Sequence, residues 1–81
     1  MENNFLRQNL LRNSIEKLLR EANFNVSERK PYLAAPYIEK YKEKRKQMFR
    51  LGFTGELISY YDARFQHIPW EIAGIEIPKL E

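Results

Sequence analysis

Cysteine is absent from this 81-residue sequence, and histidine occurs only once. Without cysteine the chain can form neither a disulfide framework nor a thiolate metal site. We therefore expect a reducing, intracellular environment, with the cytoplasm favoured over the interior of an organelle. The one histidine, His67, has no second histidine to join it in a zinc site, so we also expect no bound metal.

Long apolar runs are missing as well. No stretch approaches the roughly 18 apolar residues of a membrane span. Residues 1–7 lack the basic start and apolar run of a secretory signal, and the acidic residues Glu2, Glu16 and Glu21 are unlike a mitochondrial presequence. We predict a chain with neither a targeting segment nor a membrane span.

Residues that perform catalysis are sparse and unfavourably spaced. Ser14, Ser27 and Ser59 lie outside any nucleophile-elbow motif, and no glycine-rich loop that cradles phosphate is present. Glu56 and Asp62 fall on different sides of a helix, so they do not form an acid–base pair. We predict that the chain is not an enzyme and uses no cofactor and no small-molecule substrate.

Hydrophobic residues are plentiful enough for a folded chain, because 43% of the residues are hydrophobic and 14% are aromatic, which is unlike a disordered chain. In residues 4–23 the apolar positions recur at spacings of three and four, which predicts an amphipathic helix. Asn3 or Asn4 is expected to cap its start, and Asn23 to end it. The apolar positions are Leu11, Ile15, Leu18, Leu19 and Ala22.

A second helix is predicted over residues 36–51. Pro36 suits the first position of a helix, and Gly52 suits the left-handed residue that follows a helix. The preceding residues 24–35 contain Pro31 and lose the helical periodicity, so we interpret them as a connector. The apolar connector residues, which are expected to lie against the helices, are Phe24, Val26, Tyr32 and Leu33.

A third helix is predicted over residues 54–66. Thr54 suits its N-cap, and Leu57, Tyr61 and Phe65 share one helical face. The β-preferring residues between them leave a strand as the alternative. The helical spacing is the stronger signal, so the predicted fold class is all-α.

Residues 67–81 form an apolar segment that cannot continue as a helix. Pro69, Gly74 and Pro78 interrupt it, which predicts an extended tail after a three-helix domain over residues 1–66. The tail either folds back on the helices or docks into a partner, and in the second case the domain should keep its helical content without it. Its tryptophan is then the expected anchor, because tryptophan often dominates binding energy. The predicted docking residues are Trp70, Ile72, Ile75, Ile77 and Leu80.

Positive charge is concentrated in one segment. The net charge of the chain is +3, but residues 40–50 alone carry +5, which leaves −2 elsewhere. Residues 42–47 have no apolar side chain, so this part of the second helix is expected to face solvent or a polar partner rather than the core of the protein. The predicted partner-binding or nucleic-acid-binding residues are Lys40, Lys42, Lys44, Arg45, Lys46 and Arg50.

These features predict a non-enzymatic protein–protein interaction module, a small accessory subunit or regulator of a larger assembly. It would bind one or more proteins through the basic second helix and the apolar tail. The alternative is an RNA- or DNA-binding protein, in which the basic helix contacts successive phosphates while Tyr37, Tyr41 and Phe49 stack on exposed bases. A third interpretation of the basic segment is a solvated surface without a partner.

Overall fold

All three predicted helices are present in the computed structural model, which describes residues 3–80. The elements are α1 (Asn4–Ser27), α2 (Pro31–Ala34), α3 (Pro36–Arg50), α4 (Gly55–Gln66) and a 3-10 helix (Trp70–Ala73). No strand occurs within the described residues, so the predicted all-α class is confirmed. The outer ends of the predicted domain and tail, residues 1, 2 and 81, lie outside the described part.

Local chemistry sets several helix ends as predicted. The side-chain oxygen of Asn3 accepts a hydrogen bond from the backbone N–H of Leu6 at 3.1 Å, which caps α1. The hydroxyl of Thr54 accepts one from the N–H of Leu57 at 3.1 Å, which caps α4. Gly52 has a φ of 76°, the left-handed conformation that follows the end of α3.

The end of α1 differs from the prediction. The helix does not stop at Asn23 but continues to Ser27. The fully buried side chain of Val26 extends its apolar stripe by another turn, which stabilises the added residues. The chain then turns at Arg29, whose φ of 64° is left-handed, so the predicted connector is shorter and partly helical.

Apolar side chains of the connector divide between core and surface. Val26 is buried and Leu33 is half-buried, whereas Phe24 and Tyr32 are 63% and 69% exposed. Phe24 lies two residues from Val26, which puts it on the opposite side of α1 from the core. The prediction that the apolar connector residues all lie against the helices is therefore wrong for Phe24 and Tyr32.

A stack of aromatic rings lies at the centre of the core and joins α3, α4 and the tail. Tyr41 of α3 and Phe65 of α4 are stacked, with ring centroids 4.2 Å apart and an interplanar angle of 9°. Trp70 packs on Phe65 at 4.9 Å and donates its indole N–H to the Phe65 carbonyl oxygen at 2.9 Å. The facing stripe of α1 comprises Leu11, Ile15, Leu18, Leu19, Ala22 and Val26.

The tail folds back on the helices. Ile68, Trp70 and Ala73 belong to the same hydrophobic core as the helices, and the 3-10 helix that carries two of them ends at Gly74, whose φ is 75°. Residues 75–80 follow without regular structure. The extended conformation predicted for the tail is therefore confined to the part after Gly74.

Two side chains hold the last described residues against the helices. The Gln66 amide donates to the carbonyl oxygen of Pro78 at 2.9 Å. The Arg45 guanidinium donates through Nη1 to the carbonyl oxygen of Leu80 at 3.3 Å. The end of the tail thereby lies beside the middle of the basic helix α3.

Polar contacts join α1 to α4 on the outside of the core. Arg64 donates to the Glu16 carboxylate at 2.7 Å, and Arg12 donates to the Tyr61 hydroxyl at 3.3 Å. The hydrogen bond from Arg64 lowers the pKa of Glu16. This contact therefore stabilises the fold above the ordinary pKa of a glutamate and is lost as the pH falls through the lowered pKa. As a partly exposed pair it contributes at most about 1 kcal/mol.

Candidate partner-binding surfaces around α3

The basic residues of α3 fall into two groups on opposite flanks of the helix. Lys40 and Lys44 line a groove between α1 and α3. Lys42, Arg45 and Lys46 line a pocket on the other flank. An α-helix turns by about 100° per residue, so basic residues spread over eleven positions cannot share one face. Arg50, the sixth predicted residue, lies in the last turn of α3 and is exposed.

The α1–α3 groove consists of two adjoining concavities that share Ser14 and Lys44. Their volumes are about 410 and 300 Å³. Leucine side chains line both, and the charged groups around them have both signs. The charged lining residues are Arg7, Lys17, Lys40 and Lys44 with Glu21 and Glu43. This groove is an open surface with an apolar floor and a mixed-charge rim.

The second concavity, which we name the Arg45 pocket, has a volume of about 170 Å³ and no acidic side chain in its lining. Phe49 also lines the pocket, and this residue is 59% exposed. The Arg45 guanidinium carbon lies 5.3 Å from the centroid of the Phe49 ring, a cation–π contact. The lining consists of Lys42, Arg45, Lys46, Phe49 and Leu80.

Arg45 is held by a hydrogen-bond network that sequence reasoning missed. Its Nε–H lies 3.1 and 3.0 Å from the two carboxylate oxygens of Asp62 in α4. The Tyr41 hydroxyl donates to the same carboxylate at 2.7 Å. Residues 42–47 are expected to face solvent or a polar partner, but Arg45 instead bonds to Asp62 of the protein's own α4. Its long side chain reaches α4 from a polar helix position, and the partners are 17 residues apart, so no local spacing signals the contact.

Tyr41 is the buried member of this network. Burial, together with the hydrogen bond to Asp62 and the charge of Asp62, raises the pKa of the Tyr41 hydroxyl. The phenol therefore stays protonated around neutral pH and acts as a donor. Asp62 accepts from both Tyr41 and Arg45, and these bonds tie α3 to α4 directly behind the Arg45 pocket.

Removal of the Asp62 carboxylate tests this network. Asp62→Ala is expected to lower the free energy of unfolding by about 1–3 kcal/mol, because it leaves the Tyr41 hydroxyl and the Arg45 guanidinium without their shared acceptor. Urea denaturation followed by circular dichroism measures the change. Glu76→Ala, which removes an exposed carboxylate, is the matched control and should change stability by less than about 0.5 kcal/mol. Equal midpoints for the two variants would contradict the network.

The structure distributes the predicted docking residues of the tail between core and surface. Trp70 is fully buried with its indole N–H bonded, so in this conformation it is not accessible to a partner, and its predicted role as the docking anchor is corrected. Ile75 and Leu80 are half-buried, while Ile72 and Ile77 are 43% and 59% exposed. Of these five residues, Leu80 lines the Arg45 pocket beside the basic residues.

The described part of the chain holds no group of His, Asp or Glu side chains placed to bind a metal ion. Nor is any helix among the described residues long and apolar enough to cross a membrane. Comparison with protein-family models, with curated proteins and with solved structures found no match. The chemistry of the surfaces around α3 is therefore the basis for a functional interpretation.

Proposed function

We propose that this chain is a non-enzymatic protein–protein interaction module, a small accessory subunit or regulator that binds acidic segments of a partner protein through the two surfaces flanking α3. One observation carries the proposal: both surfaces combine basic side chains with apolar ones. Lys40 and Lys44 border a groove lined by leucines, and the Arg45 pocket adds Phe49 and Leu80 to its basic residues. A peptide with acidic and apolar side chains complements both surfaces.

The distribution of charge favours a protein partner over a nucleic-acid backbone. Binding along successive phosphates needs a continuous basic stripe. Here the lysines occupy opposite flanks of α3, and helical spacing puts Glu39 and Glu43 on the exposed ridge between them. Glu39 lies 3.7 Å from the Nζ of Lys42 and offsets part of its charge. A polyanion lying across this ridge would meet both signs of charge.

Single-stranded RNA or DNA remains the alternative, and the exposed ring of Phe49 favours it. Proteins that bind single strands combine basic groups for the phosphates with aromatic rings on which bases stack. Lys42 and Lys46 stand beside Phe49 in that way. The experiment must therefore separate a protein partner from a nucleic acid.

Affinity capture of the tagged protein from its source cells, with and without nuclease, makes that separation. We expect capture of an acidic protein that resists nuclease and is lost when Lys42, Lys44 and Lys46 are changed to Glu. The matched control changes the exposed residues Arg20, Arg29 and Lys30 to Glu, which alters the net charge equally and should preserve capture. Loss of the partner after nuclease treatment would support the nucleic-acid alternative, and equal loss in the control would contradict a specific role for α3.

The triple lysine variant should retain its fold. None of Lys42, Lys44 and Lys46 belongs to the hydrophobic core, and each substitution is expected to cost within about 0.5 kcal/mol. For a domain of this size the summed cost, at most about 1.5 kcal/mol, corresponds to a melting temperature lowered by no more than about 6–12 °C. Thermal melting followed by circular dichroism measures it, and a larger fall would show that the lysines are packed into the structure.

A further inference from the structure

Arg45 is oriented by the protein itself. Its Nε–H is bonded to the Asp62 carboxylate, its Nη1 to the Leu80 carbonyl oxygen, and the Tyr41 hydroxyl holds Asp62 from behind. The side chain is only 22% exposed, so binding a ligand would cost little further side-chain ordering. A guanidinium has five N–H donors in a planar fork, and these contacts leave the remaining ones for another acceptor.

The charge of the Arg45 pocket matches a single carboxylate. Asp62 offsets Arg45, and Glu39 partly offsets Lys42. Lys46, exposed at the rim, supplies positive charge that these two acids do not offset. A side-chain carboxylate carries one negative charge, whereas a phosphomonoester carries about −1.5 to −2 near neutral pH. The pocket therefore complements the single negative charge of a carboxylate better than the larger charge of a phosphomonoester.

The remaining walls of the pocket are apolar. Phe49 exposes more than half of its surface, and Leu80 is the other apolar residue of the lining. A volume of about 170 Å³ accommodates one short side chain rather than a long stretch of polymer. An acidic residue with an apolar neighbour would contact both kinds of wall, since the neighbour can lie on the Phe49 ring.

We propose that the Arg45 pocket binds one Asp or Glu side chain of an acidic partner peptide, and that an apolar residue of the same peptide packs on Phe49. This inference rests on the proposed function and assigns the contact to one flank of α3. The carboxylate accepts hydrogen bonds from the guanidinium of Arg45 and the ammonium of Lys46. Arg45 orients the carboxylate, while Phe49 selects for an apolar neighbour.

Nuclear magnetic resonance titration of the ¹⁵N-labelled protein with synthetic peptides tests the assignment. The probe is a capped peptide of alternating Glu and Leu, and its controls are the Gln–Leu and Glu–Gly counterparts. We expect the Glu–Leu peptide to shift the resonances of the Arg45 Nε–H group and of the Phe49 and Leu80 amides, and both controls to bind at least about threefold more weakly. A thymidine oligonucleotide serves as the nucleic-acid arm of the same titration.

Variants separate the pocket from the α1–α3 groove. Lys46→Gln and Phe49→Ala are each expected to weaken binding of the Glu–Leu peptide about threefold to tenfold. Lys30→Gln, which makes the same change of charge at an exposed residue outside both surfaces, should leave binding within about twofold. Lys40→Gln and Lys44→Gln, which make it in the groove, should weaken binding less than Lys46→Gln does. Arg45 is left intact because it also holds the fold.

Three outcomes would overturn the assignment. If the resonance shifts map to the groove and Lys40→Gln or Lys44→Gln abolishes peptide binding, the carboxylate site lies in the groove instead of the pocket. The proposed function is unaffected by that result. If the Glu–Leu peptide does not bind at all, the pocket is not a carboxylate site. The proposed function is tested separately, by nuclease-resistant capture of an acidic protein. Tighter binding of the oligonucleotide at Phe49 would assign the pocket to nucleic acid and contradict both proposals.

Discussion

Deletion of residues 68–81 is expected to abolish cooperative folding of the remaining chain. The deletion removes Ile68, Trp70 and Ala73 from the core and exposes the face of Phe65 on which the indole packs. Loss of a buried tryptophan side chain alone costs about 3–5 kcal/mol. A domain of this length has about 4–12 kcal/mol of total stability, so the deletion exhausts most or all of it.

This expectation reverses the one drawn from the sequence, under which the helical domain keeps its structure without the tail. Far-ultraviolet circular dichroism of the truncated chain measures the outcome, and a retained helical spectrum with a sigmoidal urea transition would contradict the structure. Single substitutions give the graded form of the test. Ile68→Ala, at a site 7% exposed, should destabilise the protein far more than Ile77→Ala, at a site 59% exposed.

Fluorescence of the only tryptophan reports on the same feature without any substitution. Trp70 is fully buried, so emission of the free protein should be blue-shifted and resistant to iodide quenching. Red-shifted, readily quenched emission would place the indole on the surface and restore the interpretation of the tail as a docking peptide with Trp70 as its anchor.

Leu18→Ala carries the second large expected effect. Leu18 lies in the middle of the apolar stripe of α1 and is 6% exposed, so its truncation should lower the free energy of unfolding by about 2–5 kcal/mol. Leu10→Ala is the matched control, because Leu10 lies on the same helix and is 60% exposed. The control should change stability by less than about 0.5 kcal/mol.

Urea denaturation of both leucine variants measures the difference. If their midpoints fall by similar amounts, Leu18 is no more buried in the core of this protein than Leu10 is. An unchanged midpoint for Leu18→Ala would mean that the stripe packs on a partner instead. A large fall for Leu18→Ala alone identifies the stripe as the centre of the protein's own core.

The basic helix and the apolar tail, which the sequence presents as separate features, meet at one site in the structure. Leu80 lines the Arg45 pocket, and its carbonyl oxygen accepts a hydrogen bond from Arg45. Burial of Trp70 brings the tail back along the helices, and the Gln66 bond to Pro78 holds its end in place. The tail therefore contributes to the proposed binding surface through its last residues, while its tryptophan contributes to stability.

Local sequence determined the helices and most of their ends. Asn3, Thr54 and Gly52 act on backbone groups within a few residues, so their capping roles are readable from the order of residues alone. The end of α1 lies later than local sequence predicts, because the apolar periodicity fails after Asn23 although the helix continues to Ser27. The burial of Val26 one turn later outweighed that local signal.

Tertiary structure decided which apolar and charged side chains remain accessible. The sequence shows that Trp70 must avoid water, but an indole can do so in the core or in a partner, and only the position of Phe65 selects the core. The sequence likewise shows six basic residues on one helix, but not that Arg45 reaches Asp62 in α4. Composition and spacing show whether a side chain needs burial or a polar partner. Which partner it contacts depends on how helices distant in the chain pack together, because a long side chain bonds to whatever group folding places within its reach.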